Sequence, residues 1–422
     1  MELGDANEAA GALVWLSVEL KDAGRNAEAA AAGLEAIDYA VRHGLAARWA
    51  TNATLHMAWT LVDLGRWDEA AGAVAQLRHY ELTSDREFAA EYLLLKLALL
   101  RGDFEEADRR ARRARLLAER SPVQEPFFGL VLSALALWQG DPLRARAALL
   151  DIVDLPAIPP RALRATIVSG ILAEAEIAAL ARSRNDEAEL SDALARGTAF
   201  LAQLKELSEN TATGVPNPRL RDVAELATGE AELSRLQARP DPDRWASAAA
   251  AWEAVQMPFD QGYALMREAE ATLAQRRDRS RAGRALNQAR SIATALGAVP
   301  LRRAIEGIAV RARIALDTVD GRPGPQMSGV TRERQRPSQG RLDDRAKQVR
   351  GRRDLTRRER EVLALLGAGR SNDEIGEILY VSGKTVSVHI ANIKAKLGAS
   401  SRVEMAIYAI ESGMVEGRAG QR

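Results

Sequence analysis

The sequence predicts an all-α protein: a solenoid of helical hairpins, then a flexible linker, then a four-helix domain that contains a helix-turn-helix. Three observations support this prediction. A Gly-x-aromatic-x-x-Ala pattern recurs within residues 23–145, at the spacing of a helical hairpin. A stretch with few apolar residues follows at 317–350. Residues 355–414 then contain four short amphipathic segments, each with its own helix start signal.

The repeated pattern has two clear copies, Leu64–Ala70 and Arg101–Ala107, and weaker copies that begin at residues 23 and 139. Its glycines recur at intervals of 41, 37 and 38 residues: Gly24, Gly65, Gly102 and Gly140. These intervals are typical of a hairpin of the tetratricopeptide kind, slightly longer than its usual length of about 34 residues. The glycine would end the first helix with a positive φ, the aromatic side chain would lie between the two helices, and the alanine would allow close approach.

The helical pattern continues after a break at residues 155–160, which suggests a subdivision of the array there. Further helices are expected at about 161–184, 187–209, 219–238, 243–256, 260–276, 280–296 and 299–316. A single hairpin cannot bury an apolar surface such as Tyr92–Leu100, so stacking of neighbouring hairpins is required. The sequence therefore predicts a tetratricopeptide-like α-solenoid over residues 1–316 and a flexible linker over 317–350.

Composition excludes several classes of site. The chain has no cysteine, and its four histidines show no metal-ligand spacing, so we expect no metal site and no cofactor. The paired carboxylates Asp68/Glu69, Glu105/Glu106 and Asp343/Asp344 fall at helix starts or in the linker, where the helix dipole and solvation explain them. We therefore expect no catalytic site and no enzyme activity. No apolar run is long enough to span a membrane, and a cytoplasmic protein is expected.

Basic residues are in excess only towards the C-terminus. The net charge of the whole chain is +1, but residues 351–422 carry 12 Lys or Arg against 9 Asp or Glu, and residues 317–350 carry 8 against 5. This excess is modest, and by itself it is weak evidence for a nucleic-acid partner.

The C-terminal domain, predicted at 351–416, specifies its helix starts locally. Capping boxes, in which a Ser or Thr is followed three residues later by Glu, begin at Thr356, Ser371 and Ser401, and Ser382 precedes the remaining helix. The third helix, about 383–397, places its apolar side chains on one stripe: Val386, Ile390, Ile393 and Leu397. The second, about 372–379, is expected to bury Ile375, Ile378 and Leu379, and a tight connection joins the two helices as in a helix-turn-helix.

The motifs of this domain closely resemble the LuxR-type DNA-binding domain over its whole length of about 65 residues. The residues that carry the resemblance are 355–363, 371–375, 381–398 and 400–402. It implies that Thr385 and Val386 lie at the start of a recognition helix, that His389 and Asn392 continue it, and that a fourth helix, about 402–411, makes a dimer contact. For His389 a structural or phosphate-contacting role is favoured over base reading.

Helical phase and this resemblance together predict the DNA-binding residues. The major groove is expected to receive Lys384, Thr385, Ser387, Val388, Ala391 and Asn392, while Lys394, Lys396 and Arg402 lie nearer the phosphates. The predicted function is a sequence-specific transcription regulator that binds double-stranded DNA, as a homodimer on DNA. RNA polymerase is a further candidate partner.

Two departures from the family pattern keep an alternative open. Asp373 stands where a phosphate-contacting Lys is common, and Gly376 stands where Ala is common. Gly376 would cost about 1 kcal/mol of helix propensity. The alternative is a helical interaction scaffold whose DNA-binding domain is vestigial or serves only dimerisation.

The upstream helices, including Asp243–Leu301, resemble the sensor half of large LuxR-family regulators that carry an N-terminal ATPase domain. No GxxxxGK[ST] phosphate loop occurs in this chain. The resemblance implies a shortened relative, or the C-terminal part of such a regulator, whose helical array binds a protein or small-molecule effector.

Overall fold

A computed structural model gives the conformation of two compact units, one within Met1–Met327 and the other within Ser328–Arg422. The residues it describes are 2–119, 125–153, 158, 160–212, 219–275, 278–317, 355–367, 370, 372–379, 383–397, 405 and 409. The described residues contain no β-strand, in agreement with the predicted all-α class. The predicted linker at 317–350 lies outside them after residue 317.

The first unit consists of fifteen α-helices within its described residues. Their bounds are α1 Glu2–Asp22, α2 Asn26–Arg42, α3 Thr51–Asp63, α4 Trp67–Gln76, α5 Ser84–Arg101, α6 Phe104–Ala118, α7 Glu125–Trp138, α8 Pro142–Val153, α9 Pro160–Arg184, α10 Glu187–Ala212, α11 Leu220–Leu236, α12 Pro242–Ala254, α13 Pro258–Ala274, α14 Arg279–Leu296 and α15 Val299–Ala312. A π-helical turn, Ala46–Ala50, leads into α3, and a short 3-10 helix, Leu77–His79, follows α4. The helices predicted from residue 161 onward are confirmed to within a few residues. The last of them ends earlier than predicted because Arg313 adopts a left-handed conformation.

The second unit contains α16 Arg357–Gly367, α17 Asn372–Leu379 and α18 Gly383–Leu397. The predicted bounds of the second and third helices of this domain, 372–379 and 383–397, are confirmed. Within the described ranges of both units, no helix combines the length and the apolar character that crossing a lipid bilayer would require.

The repeated glycines act as the sequence pattern predicts. Gly24, Gly65, Gly102 and Gly140 all have φ between +78° and +81°, a region that residues with a Cβ rarely adopt. Each glycine ends the first helix of a hairpin, and the next helix begins two residues later. The aromatic and alanine positions are confirmed as packing residues, because the Trp67 side chain is 3% exposed and the alanines at the end of the pattern are inaccessible to solvent: Ala29, Ala70, Ala107 and Ala145.

Contacts between distant helices close the array on itself. In a simple solenoid each hairpin contacts only its neighbours. Here one core cluster combines α3, α4 and α5 with α11 to α15, and it contains Leu61, Leu97, Trp252 and Leu301. The Asn26 side chain at the start of α2 also donates a hydrogen bond of 2.9 Å to the carbonyl oxygen of Val255, after α12. Helices from the two ends of this unit therefore share one core.

Three of the four glycine turns lie against the second half of the array. Gly24 packs beside Leu220 and Val255, Gly65 beside Pro258 and Leu296, and Gly102 beside Val299 and Pro300. Gly140 has no such neighbour, because a Cβ placed on it would meet nothing within 4 Å. The glycines at the first three turns thus serve both the backbone conformation and the closure of the array.

Gly102→Ala and Gly140→Ala form a matched pair that measures this closure. Both glycines have almost the same φ, so each substitution carries a backbone cost of about 1–2 kcal/mol. At Gly102 the new Cβ would also lie 2.9 Å from two atoms of the Pro300 ring, which adds about 1–3 kcal/mol of overpacking. Thermal unfolding followed by circular dichroism should therefore show a lower Tm for Gly102→Ala than for Gly140→Ala. Equal Tm values would contradict the contact between the α5–α6 turn and α15.

Candidate nucleic-acid interface

The first helix of the C-terminal unit begins with a reciprocal cap. The Thr356 hydroxyl accepts a hydrogen bond of 3.2 Å from the Glu359 amide, and the Glu359 carboxylate accepts one of 2.7 Å from the Thr356 amide. This is the capping box predicted at Thr356. Those predicted at Ser371 and Ser401, and the cap at Ser382, lie outside the described residues.

Glu359 also connects α16 to α18. Its buried carboxylate lies 2.5 Å from the ammonium of Lys396, whose side chain is 26% exposed. Burial raises the pKa of Glu359, but the hydrogen bonds from Lys396 and Thr356 outweigh this effect and the pKa lies below its ordinary value. A carboxyl group with a lowered pKa stabilises the fold above its ordinary pKa, and this contribution is lost as the pH falls.

A small apolar core fixes the orientation of α18. The predicted stripe is confirmed, since Val386 and Ile393 are fully buried and Ile390 and Leu397 pack partly buried against the same cluster. Val362, Leu363 and Leu366 of α16 and Ile375 of α17 supply the facing side chains. Met405 and Ala409, the described residues of the predicted fourth helix, are also buried there. One face of α18 is therefore buried in this core.

The other face of α18 is exposed. Thr385, Val388 and Asn392 are solvent-accessible, and Val388 is 56% exposed although it is apolar. Their spacing of three and four residues places them on one side of the helix. Four further predicted contacts lie on α18, but their side chains are outside the described residues: Lys384, Ser387, Ala391 and Lys394.

The remaining predicted contacts have different surroundings. Lys396, expected near the phosphates, forms the ion pair with Glu359. His389 is half-buried, at the edge of the core stripe, and Arg402 lies outside the described residues. Two contacts between the helices were not predicted from the sequence: the Glu359–Lys396 pair, and a hydrogen bond of 2.5 Å from the Arg358 guanidinium to the carbonyl oxygen of Leu379. They join residues 37 and 21 positions apart, and no local pattern indicates such pairs.

The expectation that Ile378 is buried is wrong, since its side chain is 47% exposed. Ile375, Gly376 and Leu379 form the packed side of α17, and Ile378 points about 100° away from the middle of that stripe. Gly376 is therefore a buried residue of this helix, at one of the two positions where the sequence departs from the family pattern. The side chain of Asp373, the other departure, is outside the described residues.

Three of the four paired carboxylates of the first unit, Asp68, Glu69 and Glu106, form ion pairs. Asp68 lies 2.6 Å from Arg101, and Glu69 lies 2.5 Å from Arg66, at the start of α4. Glu106 likewise pairs with Arg110 at 2.7 Å in the first turn of α6. The helix dipole and solvation are expected to account for these groups, and ion pairs add to them at Asp68, Glu69 and Glu106. Asp343 and Asp344 lie outside the described residues.

Comparisons with known proteins match the C-terminal unit. A family model described as bacterial regulatory proteins, luxR family, matches residues 353–409. The transcriptional regulatory protein LiaR of Bacillus subtilis (strain 168) is 48% identical over 61 residues, which cover 14% of this chain and 29% of LiaR. LnrK of the same strain is 49% identical over 61 residues, which cover 14% of this chain and 28% of LnrK. DegU of Brevibacillus brevis is 47% identical over 64 residues, which cover 15% of this chain and 27% of DegU.

These matches define a domain rather than the whole chain. Residues 353–409 are a luxR-family helix-turn-helix domain, and α17 and α18 are its helix-turn-helix pair. The chain spans less than a third of the length of the curated relatives that it matches. The matched segments cover only about a seventh of this chain, so they give no information on the helical array.

Glu359→Gln should loosen α18 at neutral pH. Gln keeps a hydrogen-bond acceptor for Thr356 but loses the charge that pairs with Lys396, at a cost of about 1–2 kcal/mol. Hydrogen exchange of the full-length chain, followed by mass spectrometry of the 383–397 peptides, should be faster in the variant at pH 7. The difference should begin to shrink as the pH falls below the ordinary glutamate pKa of about 4.3, and it should vanish once the pH passes the lowered pKa of Glu359, where the wild-type carboxyl group is also protonated.

Glu374→Gln is the matched control, because Glu374 forms an exposed ion pair with Arg370 at 3.4 Å. Exposed pairs contribute little to stability, so its exchange should follow the wild type. If Glu359→Gln and Glu374→Gln exchange alike at pH 7, Glu359 does not hold α18 in place.

Proposed function

We propose that this protein is a luxR-type transcription regulator that binds double-stranded DNA with α18 in the major groove. The main support is that α18, within a luxR-family domain, has one buried face and one exposed face. Val386 and Ile393 are fully buried, whereas Thr385, Val388 and Asn392 form an exposed face. A helix packed on one side and free of bulky side chains on the other fits a major groove about 12 Å wide.

The proposed contacts divide into two groups. Base edges are read from the exposed face and its neighbours: Lys384, Thr385, Ser387, Val388, Ala391 and Asn392. Lys394, Lys396 and Arg402 lie nearer the phosphates, where they set affinity and orientation but not sequence preference. Glu359 lowers the positive potential at Lys396, so Lys394 and Arg402 carry the larger share of the phosphate contacts.

The active form in this proposal is a homodimer on two half-sites. The fourth helix, about 402–411, supplies the contact between the two domains, with Met405 and Ala409 facing its own core. The proposed division of the chain is a helical array at 1–316, a linker at 317–350 and the DNA-binding domain at 351–416. A flexible linker would allow the two domains to adjust to the half-site spacing.

The helical array is proposed as the sensor. It binds a protein or small-molecule effector, and binding changes how readily two DNA-binding domains pair. In this proposal the chain acts in the cytoplasm without catalysis, as a tetratricopeptide-like relative of the large luxR regulators, and RNA polymerase is its partner at promoters. LiaR, LnrK and DegU, the relatives of the C-terminal domain, are transcriptional regulatory proteins, which supports the regulator role of the chain.

Genome-wide capture of bound DNA tests the core of the proposal. We compare the full chain with a version truncated after Leu316, which lacks the whole luxR-family domain. Discrete promoter fragments that share an inverted repeat should be recovered with the full chain alone. If both versions recover the same fragments, the DNA-binding claim fails, and the chain is better described as an interaction scaffold with a vestigial domain.

Alanine substitutions separate base reading from phosphate contact. Asn392→Ala should cost about 1–3 kcal/mol of binding to the preferred operator and relax the preference at one base pair. Lys394→Ala should weaken binding to all sequences alike and reduce the salt dependence by about one phosphate contact. Titrations of operator and scrambled duplexes at several salt concentrations measure both effects.

Arg303→Ala is the control for Lys394→Ala, because it removes one positive charge from an exposed position on α15. Its affinity and salt slope should match the wild type. Asn392→Ala with an unchanged sequence preference would show that this side of α18 does not read bases.

A further inference from the structure

The first unit contains a cavity of about 740 Å³ that is partly open to solvent. Its wall is formed by helices that are far apart in the sequence, α1, α3, α5, α7, α9, α11 and α13. Sites for small organic ligands typically measure about 300–1,000 Å³. The cavity therefore has the size of a small-molecule site, and it lies within the unit that we propose as the sensor.

One side of the cavity carries a group of charged residues centred on Asp63. Its carboxylate lies 3.0 Å from the Lys21 ammonium, 3.3 Å from the Arg221 guanidinium and 3.9 Å from the Lys96 ammonium. Lys21 and Asp63 are almost completely buried, whereas the Lys96 side chain is 32% exposed. Lys96 is thus the cation that is held least tightly and the one most accessible to a ligand.

A second carboxyl group lines the same space. Asp260 is half-buried and has no ion pair among the residues that the structure describes. Burial raises its pKa to about 6, while Lys96 and Arg221 act in the opposite direction. At pH 7 and above Asp260 is mostly ionised, so two carboxylates, Asp63 and Asp260, face the three cations Lys21, Lys96 and Arg221. Positive potential therefore remains beside Lys96.

Aromatic side chains form the wall next to these charges. Trp59, half-buried, packs against Tyr92 with ring centroids 4.8 Å apart, and Phe127, Trp138 and Phe259 line the cavity further on. The ammonium of Lys96 lies 5.5 Å from the centre of the Trp59 ring. Flat apolar surface and a cation therefore adjoin each other in one cavity.

Packing alone does not explain this combination. Arg86, at the edge of the cavity, has a structural role, since it donates hydrogen bonds of 3.0 and 2.8 Å to the carbonyl oxygens of Ala47 and Arg48 in the π-helical turn. Among the described residues Lys96 has no comparable anchor: it approaches Asp63 at 3.9 Å, and Lys21 and Arg221 lie closer to that carboxylate. A cation beside an aromatic ring and an open volume suits an organic anion.

We propose that this cavity binds a small organic anion with a flat apolar body, whose acidic group pairs with Lys96 and whose body packs on Trp59 and Trp138. This proposal rests on the sensor role proposed for the helical array and identifies its site and ligand class. An anion that neutralises Lys96 would also strengthen the closed form of the array, because the contacts around the cavity join its two ends.

The test uses two fluorescent probes with the same aromatic body, the anion anilinonaphthalene sulfonate and the uncharged N-phenylnaphthylamine. Each is titrated into the full-length wild type and into Lys96→Met, which keeps side-chain length but removes the charge. The Kd of the anionic probe should rise about tenfold in the variant, while the Kd of the neutral probe changes less than twofold. An equal change for both probes, no change for the anionic probe, or no binding of either to the wild type would overturn the proposal.

Two further variants place the probe within the cavity. Ala165→Phe introduces a ring at a lining position and should abolish binding of both probes, whereas Ala195→Phe, at an exposed position on α10, should leave both unchanged. Asp260→Asn removes a negative charge and should tighten binding of the anionic probe about threefold at pH 7.5. Retained binding in Ala165→Phe would mean that the probes occupy another surface, and this also overturns the proposal.

The same protein samples separate this proposal from the proposed function. Each variant is tested for circular dichroism and for operator binding. If the wild type binds the operator but does not bind the anionic probe, the proposed cavity ligand is rejected and the proposed regulator function is retained. If the probes bind as expected but the wild type does not bind the operator, the proposed regulator function is rejected. The chain would then be a helical array that binds a ligand.

Discussion

The carboxylate of Asp63 is the interaction on which the shape of the helical array depends. It stands at the C-terminal end of α3, where the helix dipole disfavours a negative charge. Lys21 from α1, Lys96 from α5 and Arg221 from α11 compensate that cost. Because Arg221 lies 158 residues from Asp63 in the sequence, this single charge couples the first hairpins to the second half of the unit. Apolar contacts hold the helices of the array together, and this charge cluster determines which helices pack against one another.

The local features of the array could be predicted from the sequence, and its closure could not. The glycine turns, the buried Trp67 and the alanines follow from a pattern that spans seven residues. Closure depends on long-range contacts such as the hydrogen bond between Asn26 and Val255, and no periodic pattern in the sequence predicts such contacts. One signal was present in the sequence: Lys96 interrupts the otherwise apolar run Tyr92–Leu100, and an isolated charge in such a run indicates a polar partner or a cavity.

The C-terminal domain shows the same division between local and distant information. Its described helix starts and its core stripe on α18 follow from capping residues and helical spacing, so they agree with the structure at Thr356, Val386 and Ile393. Ile378 was misassigned because three apolar residues on an eight-residue helix leave its phase ambiguous, and the buried Gly376 resolves it. The Glu359–Lys396 pair required knowledge of how α16 crosses α18.

The distribution of charge has a consequence for the proposed regulation. Several arginines of the first unit form ion pairs with neighbouring helices, as Arg146 does with Glu174 at 2.5 Å, so the charge of these arginines is neutralised within the unit. In the second unit the exposed face of α18 presents Thr385, Val388 and Asn392, which carry no charge, and Lys396 is paired. In the proposed interface Lys394 and Arg402 then carry most of the phosphate contacts of one domain, and so few contacts would give weak binding. Pairing of two domains on adjacent half-sites would supply the missing affinity, and a change in pairing is therefore the step at which an effector on the helical array could control DNA binding.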